Sequence, residues 1–293
     1  MTFAEELSRK NFLITAELIP PRGTDVTKLS QQAEELAPFV DAFNLPDNPG
    51  ACLHTAPIGL ANVLQSQGFE IIYQVTCRDR NRLALQADLL TAGLLGIRNV
   101  LVVTGDHNLL GDHPTSKPVY DLDSVQLLAL LKNLNLGLDA NRRLLDNRTS
   151  FCYGAVVNPA LEGLETQIWK LKRKAETGIS FIQTQAVFDS DSFKQLRKAA
   201  MEIPVKLLAG ILPLRSARMA NWINQHVAGV TVPPNIIRRL EAAKDPVLEG
   251  WRIVEETVDA IKADSDGLHF MPLGDSQGLV EYLKKLPFHD LGT

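Results

Sequence analysis

Two carboxylates stand out by where the chain carries them. Glu17 is the polar outlier of an apolar, strand-like segment, Phe-Leu-Ile-Thr-Ala-Glu-Leu at 12–18, which runs into the break Pro20-Pro21-Arg22-Gly23. Apolar surroundings favour the protonated form of a carboxyl group, and a general acid working near neutral pH needs that proton. Glu17 is equally suited to an ion pair with Arg22. Asp106 closes the stretch Asn99-Val-Leu-Val-Val-Thr-Gly-Asp, in which Val100 to Thr104 are all apolar or β-branched. A run without alternation suits a strand buried on both faces of a parallel sheet. A carboxylate just past a glycine at the carboxyl end of such a strand sits where α/β enzymes place their chemistry; it would serve as well to cap the next helix. Carboxylates in unlike environments can divide the work, one holding a proton and the other a charge.

The elements that must hold these groups alternate regularly. Strand patterns fall at 12–18, 42–45, 70–76, 99–104, 151–157, 180–185, 205–209 and 267–271. Helical patterns lie between them, from a cap at Thr24 or Asp25 to 37, then at 55–67, 82–95, 121–135, 161–177, 191–202 and 216–226. Further helix fills most of 234–263, broken near Asp245-Pro246, and 278–285. Connections are mostly short, apart from the loop 106–118, whose length marks it as functional or mobile, and the polar excursion 136–149. This order predicts a (β/α)8 TIM barrel in one domain over 1–293. A doubly wound sheet is the alternative, but no Gly-x-Gly-x-x-Gly follows the first strand.

In such a barrel the reacting groups stand at the carboxyl ends of the strands. Those ends carry Glu17, Asp47 or Asn48, Gln74 or Thr76, Thr104 to Asp106, Asn158, Gln183 or Gln185, Gly210 and His269. Amides and hydroxyls dominate, which suits a planar, amide-rich heterocycle. The ring lacks the ligand density of a metal centre, and His269 reads better as a hydrogen-bonded core or rim residue. No serine or cysteine sits in a nucleophile-elbow context, and no strand end carries the lysine of a Schiff-base aldolase.

Composition agrees with a soluble protein: 45% hydrophobic, 22% charged and a net charge of −4, with no basic surface for nucleic acid. No run reaches the roughly 18 apolar residues of a membrane span. The first residues carry acids where a signal peptide would carry bases, and the three cysteines, Cys52, Cys77 and Cys152, show no disulfide or zinc spacing. A cytoplasmic location is expected.

Five motifs in order then carry a resemblance. Thr-Ala-Glu17-Leu-Ile-Pro-Pro-Arg, Gly105-Asp106 after its strand, Leu171-Lys-Arg-Lys174 with Gly178 and Thr184-Gln185, Gly210-Ile-Leu-Pro213, and Leu268-His-Phe270 are similar to those of the flavin-dependent 5,10-methylenetetrahydrofolate reductases, over 12–285. The resemblance implies a β/α barrel that reduces 5,10-methylenetetrahydrofolate to 5-methyltetrahydrofolate, or runs in reverse, within one-carbon metabolism and methionine biosynthesis. It implies a flavin, FAD with FMN as the alternative, whose N5 hydride goes to the methylene carbon. Glu17 then matches the acid that protonates folate N10, and Asp106 the aspartate whose charge favours the iminium and tunes the flavin. Gln185 matches the glutamine that binds the pterin. Cofactor contacts are implied for Gln74, Thr104, Gly105, Asp106, Tyr120, Asp121, Tyr153, Asn158, Arg173 and Lys174.

The chain also departs from the pattern. Gln74 stands where the family has a histidine, Tyr153 and Gly154 where a tyrosine appears shifted, Met219 at a folate-binding glutamine, and Asp275 at a folate-contacting arginine. The segments Pro46-Asp-Asn-Pro49, Cys77-Arg-Asp-Arg-Asn81 and Val119-Tyr-Asp-Leu-Asp-Ser124 resemble the branch found in anaerobic one-carbon and methyl-transfer pathways. Electrons would come from NAD(P)H or from a partner protein, and a homo-oligomer is open. The rival reading, motivated by Met219 and Asp275, is a folate- or partner-binding barrel without reductase activity.

Overall fold

Eight parallel strands close on themselves: β1 (Leu13–Glu17), β2 (Ala42–Leu45), β3 (Ile71–Thr76), β4 (Asn99–Val103), β5 (Cys152–Val157), β6 (Phe181–Ala186), β7 (Lys206–Ile211) and β8 (Gly267–Phe270), with β8 returning to pair with β1. The computed structural model describes residues 1–159, 163–227 and 229–286. The helices are α1 (Phe3–Arg9), α2 (Thr27–Leu36), α3 (Pro57–Ser66), α4 (Arg82–Leu94), α5 (Ser124–Asn135), α6 (Leu164–Ala175), α7 (Ser190–Ala200), α8 (Ala217–His226), α9 (Pro234–Ala242), α10 (Pro246–Ile261) and α11 (Ser276–Leu283). The protein is the (β/α)8 barrel that the strand count predicts, rather than the open sheet.

Period-two alternation sorts the strand side chains into two layers. Phe43, Tyr73, Val100 and Val102 point outward into a core shared with Leu60, Leu64, Leu89, Leu127 and Leu131 of the helices. Leu13, Ala42, Ile72, Leu101, Phe181 and Leu208 turn inward and fill the lower half of the barrel. The helix α1 has no counterpart among the predicted elements and seals that end. It begins on a capping box between Thr2 and Glu5, and its fully buried Phe3 meets Phe181 edge-on at 5.3 Å. Gly154 makes room for this floor, since a Cβ there would lie 2.6 Å from the Phe181 ring.

Boundaries shift modestly from the predicted ones. α2 starts at Thr27 without a side-chain cap, because Asp25 folds onto the Thr27 amide at 2.9 Å. α5 starts at Ser124, where Asp123 and Gln126 form a second capping box. The predicted start of the fifth helix at Leu161 lies outside the described residues. No helix among the described residues is long and apolar enough to cross a membrane.

Candidate functional site

A buried polar layer sits above the apolar floor and leads up to Glu17. Asn44 of β2 and Gln183 of β6 meet as a reciprocal amide pair, and the Gln183 amide also donates to Thr15 Oγ1 at 3.0 Å. Thr15 Oγ1 lies 3.0 Å from His269 Nδ1, and His269 Nε2 lies 3.7 Å from Glu17 Oε1. Gln74 of β3 donates to the same Glu17 oxygen at 3.0 Å. Arg22 is bound instead to Asp112, at 2.6 Å, so the ion pair that would have neutralised Glu17 is not made. Glu17, the last residue of β1, keeps 15% of its side chain exposed.

The carboxyl end of β4 is built differently. Gly105 sits at φ +87°, where a Cβ would crowd Arg78 and Thr76, each at 3.1 Å. The buried Arg78 pairs with Asp79 at 2.7 Å and donates to the carbonyls of Asp106 and Asn48. Tyr120 donates its hydroxyl to the Gly105 carbonyl at 3.1 Å. Two side chains thus fix the Gly105-Asp106 backbone from below, while Thr104 and Asp106 stand exposed above it. β1 and β4 are three strands apart in a ring of eight, so Glu17 and Asp106 rise from nearly opposite walls.

The surrounding loops are tied to one another. Asp112 accepts from Arg22 and from the Leu53 amide, and contacts His113 at 2.7 Å. The His113 contact, with Leu53 and Arg22, holds its carboxyl down at about 2. Gly111 packs against the Ala51 carbonyl so closely that no larger residue fits. Beneath them Asp47 accepts from the Thr76 amide and hydroxyl and from Arg80, whose other arm reaches Asp88 at 2.9 Å.

A β-bulge re-aims the end of β6. Pairing with β7 shifts register between Gln183 and Ala186, and the Thr184 hydroxyl accepts from the Gly210 amide at 2.8 Å. Gly210 is required there, because a Cβ would meet the carbonyls of Thr184 and Gln185. Gln183 therefore stays buried in the polar layer, and Gln185 emerges half-buried at the rim.

A separate cavity of about 930 Å³ opens at the amino-terminal end beside α1, lined by Leu7, Cys152, Ser180, Arg197, Lys206 and Asp266. Arg197 is already paired with Asp266 at 2.8 Å. The carboxylates of interest lie at the other end of the barrel.

The sequence model of the family described as methylenetetrahydrofolate reductase matches residues 2–287. The chain belongs to that family. It is 27% identical over 255 residues to Methylenetetrahydrofolate reductase 1 of Schizosaccharomyces pombe, covering 79% of this chain but only 38% of that protein. It is 23% identical over 248 residues to the 5,10-methylenetetrahydrofolate reductase of Pectobacterium carotovorum subsp. carotovorum, covering 78% of each. Among solved structures, a Clostridium thermocellum protein that binds two copies of 5-methyl-5,6,7,8-tetrahydrofolic acid shares the fold. Its TM-score is 0.69 at 12% identity, over 96% of this chain and 97% of that one.

The residues singled out by resemblance to this family do not all converge. Gln74 and His269 both face the same oxygen of Glu17, and Thr104, Gly105, Asp106 and Tyr120 form a second group at β4. Tyr153 is turned outward by strand parity, donating its hydroxyl to the Thr177 carbonyl under α6, so it does not line the mouth. Asp121 is clamped by Arg82 at the start of α4, and Met219 packs into a satellite apolar cluster with Ala220 and Ile223. Arg173 lies over the Trp169 ring, while the buried Lys174 donates to the Val156 carbonyl at 2.6 Å. Asn158 is half-buried and packs against Gly229.

Thr15, Asn44 and Arg78 are site residues that sequence reasoning passed over. The available signal was parity: Thr15 and Asn44 are polar residues at inward positions of strands otherwise apolar.

Proposed function

We propose that this protein reduces 5,10-methylenetetrahydrofolate to 5-methyltetrahydrofolate with a bound flavin, drawing electrons from NAD(P)H or a partner protein. The observation that carries the reading is the pair of unlike carboxylates on opposite walls: Glu17 among hydrogen-bond donors, Asp106 exposed past a glycine. The end of β4 suits a flat ring, because Gly105 keeps the backbone bare and Thr104 and Asp106 offer polar groups beside it. FAD is the flavin proposed. Arg173, Lys174 and Asn158 would hold its phosphate and adenine parts.

A bound flavin would supply the hydride for the methylene carbon. Glu17 would deliver a proton to folate N10 as the five-membered ring opens, which leaves that nitrogen neutral. The Asp106 carboxylate, at the open mouth, would favour the cationic iminium that accepts hydride. Gln185, at the rim beyond the bulge, hydrogen-bonds the pterin edge.

The second reading is a folate-binding barrel without reductase activity. It is favoured by Met219, which the satellite cluster holds in place of a polar group, and by the folate-binding C. thermocellum barrel of the same fold. The deciding experiment is a visible spectrum after incubation with FAD or FMN, followed by anaerobic NADH, NADPH and methyltetrahydrofolate in turn. Bound yellow flavin that is bleached by a donor and reoxidised by methylenetetrahydrofolate supports the reductase. A protein that binds folate but neither flavin is the non-catalytic barrel.

A further inference from the structure

We propose that the outward face of α4 is the surface on which a second copy of this chain docks, the two α4 helices pairing antiparallel about a two-fold axis. The inference stands apart from the reductase reading and goes beyond it.

α4 buries Leu85, Leu89 and Ala92 against the barrel. Its other side carries Leu83, Ala87, Leu90 and Leu94, at spacings of four, three and four, which fall in one stripe along a helix. All four are exposed, Leu83 at 73% and Leu94 at 85%, and Thr91 and Leu95 beside them are exposed as well. A helix on the outside of a barrel ordinarily turns charge to solvent, as α10 does with Arg252, Glu255, Glu256 and Asp259. α4 has two charged residues, and both are taken within the chain: Arg82 by Asp121 at 2.9 Å and Asp88 by Arg80 at 2.9 Å. A row of solvated leucines without free charge is the mark of a face that another surface covers.

Symmetry, charge and area all make the covering surface the same helix of another copy. The stripe reads nearly alike from both ends. A two-fold axis between Asp88 and Leu89 sets Leu83 against Leu94 of the second copy and Ala87 against its Leu90, the self-complementarity that an isologous interface requires. With Arg82 and Asp88 paired at home, that contact brings no free like charges of α4 together, whereas a strongly acidic or basic partner would find nothing there to pair with. The excursion 136–149 widens the face: its Ala140 amide donates to Gln86 on the flank of α4 at 2.7 Å, and its Leu144 is 87% exposed. The stripe with Leu95 and Leu144 exposes roughly 600 Å² per copy, so a pair that covers it buries about the 1,200 Å² at which specific interfaces begin. The exposed Arg142, Arg143 and Asp146 of the excursion supply the polar margin such a face needs.

Sedimentation equilibrium of the wild type and of the double variant Leu83→Glu/Leu94→Glu tests the surface. Both side chains are exposed in the single chain, so the variant is expected to fold, which far-UV circular dichroism checks. The wild type is expected to be a dimer at micromolar concentration, and the variant to dissociate at least about a hundredfold more readily. A monomeric wild type overturns the proposal, as does a variant that associates like the wild type. The register is read by mild oxidation of Leu83→Cys/Leu94→Cys. These thiols lie about 16 Å apart along one helix and cannot bridge within it. A reducible covalent dimer is expected from the double variant, and none from Leu83→Cys alone or from the parent with its own cysteines. No covalent dimer from the double variant, or as much from Leu83→Cys alone, overturns the antiparallel pairing.

Discussion

Asn44 and Gln183, on strands four apart in the ring of eight, join their amides across the barrel axis through hydrogen bonds of 2.8 and 3.1 Å. The pair separates the apolar floor from the open mouth and anchors the chain of contacts leading through Thr15 and His269 to Glu17. Asn44→Leu leaves buried Gln183 groups unpaired and is expected to cost about 1–3 kcal/mol. Adding Gln183→Leu should recover part of that loss, a coupling of about 1 kcal/mol in urea unfolding. Strictly additive losses would show that the amides do not act as a pair.

Asp47 is a structural group, although its place at a strand end made it a site candidate. It is buried and accepts from the Thr76 amide and hydroxyl as well as from Arg80. Burial opposes the Arg80 charge, and Asp47 with Asp88 more than offsets it, raising the guanidinium above its ordinary value. Asp47→Ala is expected to destabilise the protein by about 2–4 kcal/mol, because the half-buried Arg80 loses its closest partner and the buried Thr76 amide and hydroxyl lose their acceptor. A change within about 0.5 kcal/mol in denaturant unfolding would contradict this.

Lys174 gives the protein a measurable alkaline signature. Burial first, then Lys170, holds its amine down at about 8 from 10.5. Between these two values the unfolded chain binds a proton that the folded chain lacks, so stability rises with pH across that window. Below pH 8 both states are protonated and the full penalty applies. Unfolding of flavin-free wild type at pH 8 and pH 10 should therefore show a gain on the order of 2–3 kcal/mol that Lys174→Met lacks. The same rise in both proteins would place the effect elsewhere.

Asp106→Asn separates charge from scaffold. The Gly105-Asp106 backbone is held by Arg78 and Tyr120 independently of the carboxylate. The variant is expected to keep flavin within about threefold of wild-type affinity and to lose folate reduction by about a hundredfold. Complete loss of flavin would make Asp106 a binding residue instead.

Much of the barrel was legible because eight apolar runs alternate with helical patterns, and parallel strands buried on both faces leave that trace. α1 was missed although its capping box, Thr2 with Glu5, is visible in the sequence; a seven-residue helix gives too short an apolar repeat to notice. The two acids were found because each breaks an apolar run. The resemblance implies a cofactor contact for Tyr153, whereas parity with Gly154, which faces Phe181, turns it to the helix layer. The division between Gln183 and Gln185 rests on a bulge, an insertion in pairing that strand alternation alone does not reveal. Arg22 and Asp112 lie 90 residues apart, so the choice between Glu17 and Asp112 as the arginine's partner depends on how the loops fold over the mouth.

The most direct test of the account is reoxidation of reduced flavin by methylenetetrahydrofolate in Glu17→Gln, followed anaerobically in a single turnover. The account predicts that the variant binds flavin and is reduced like wild type, yet reoxidises at least about a thousandfold more slowly. Reoxidation near the wild-type rate would show that the proton for N10 comes from another group and that Glu17 is not the acid.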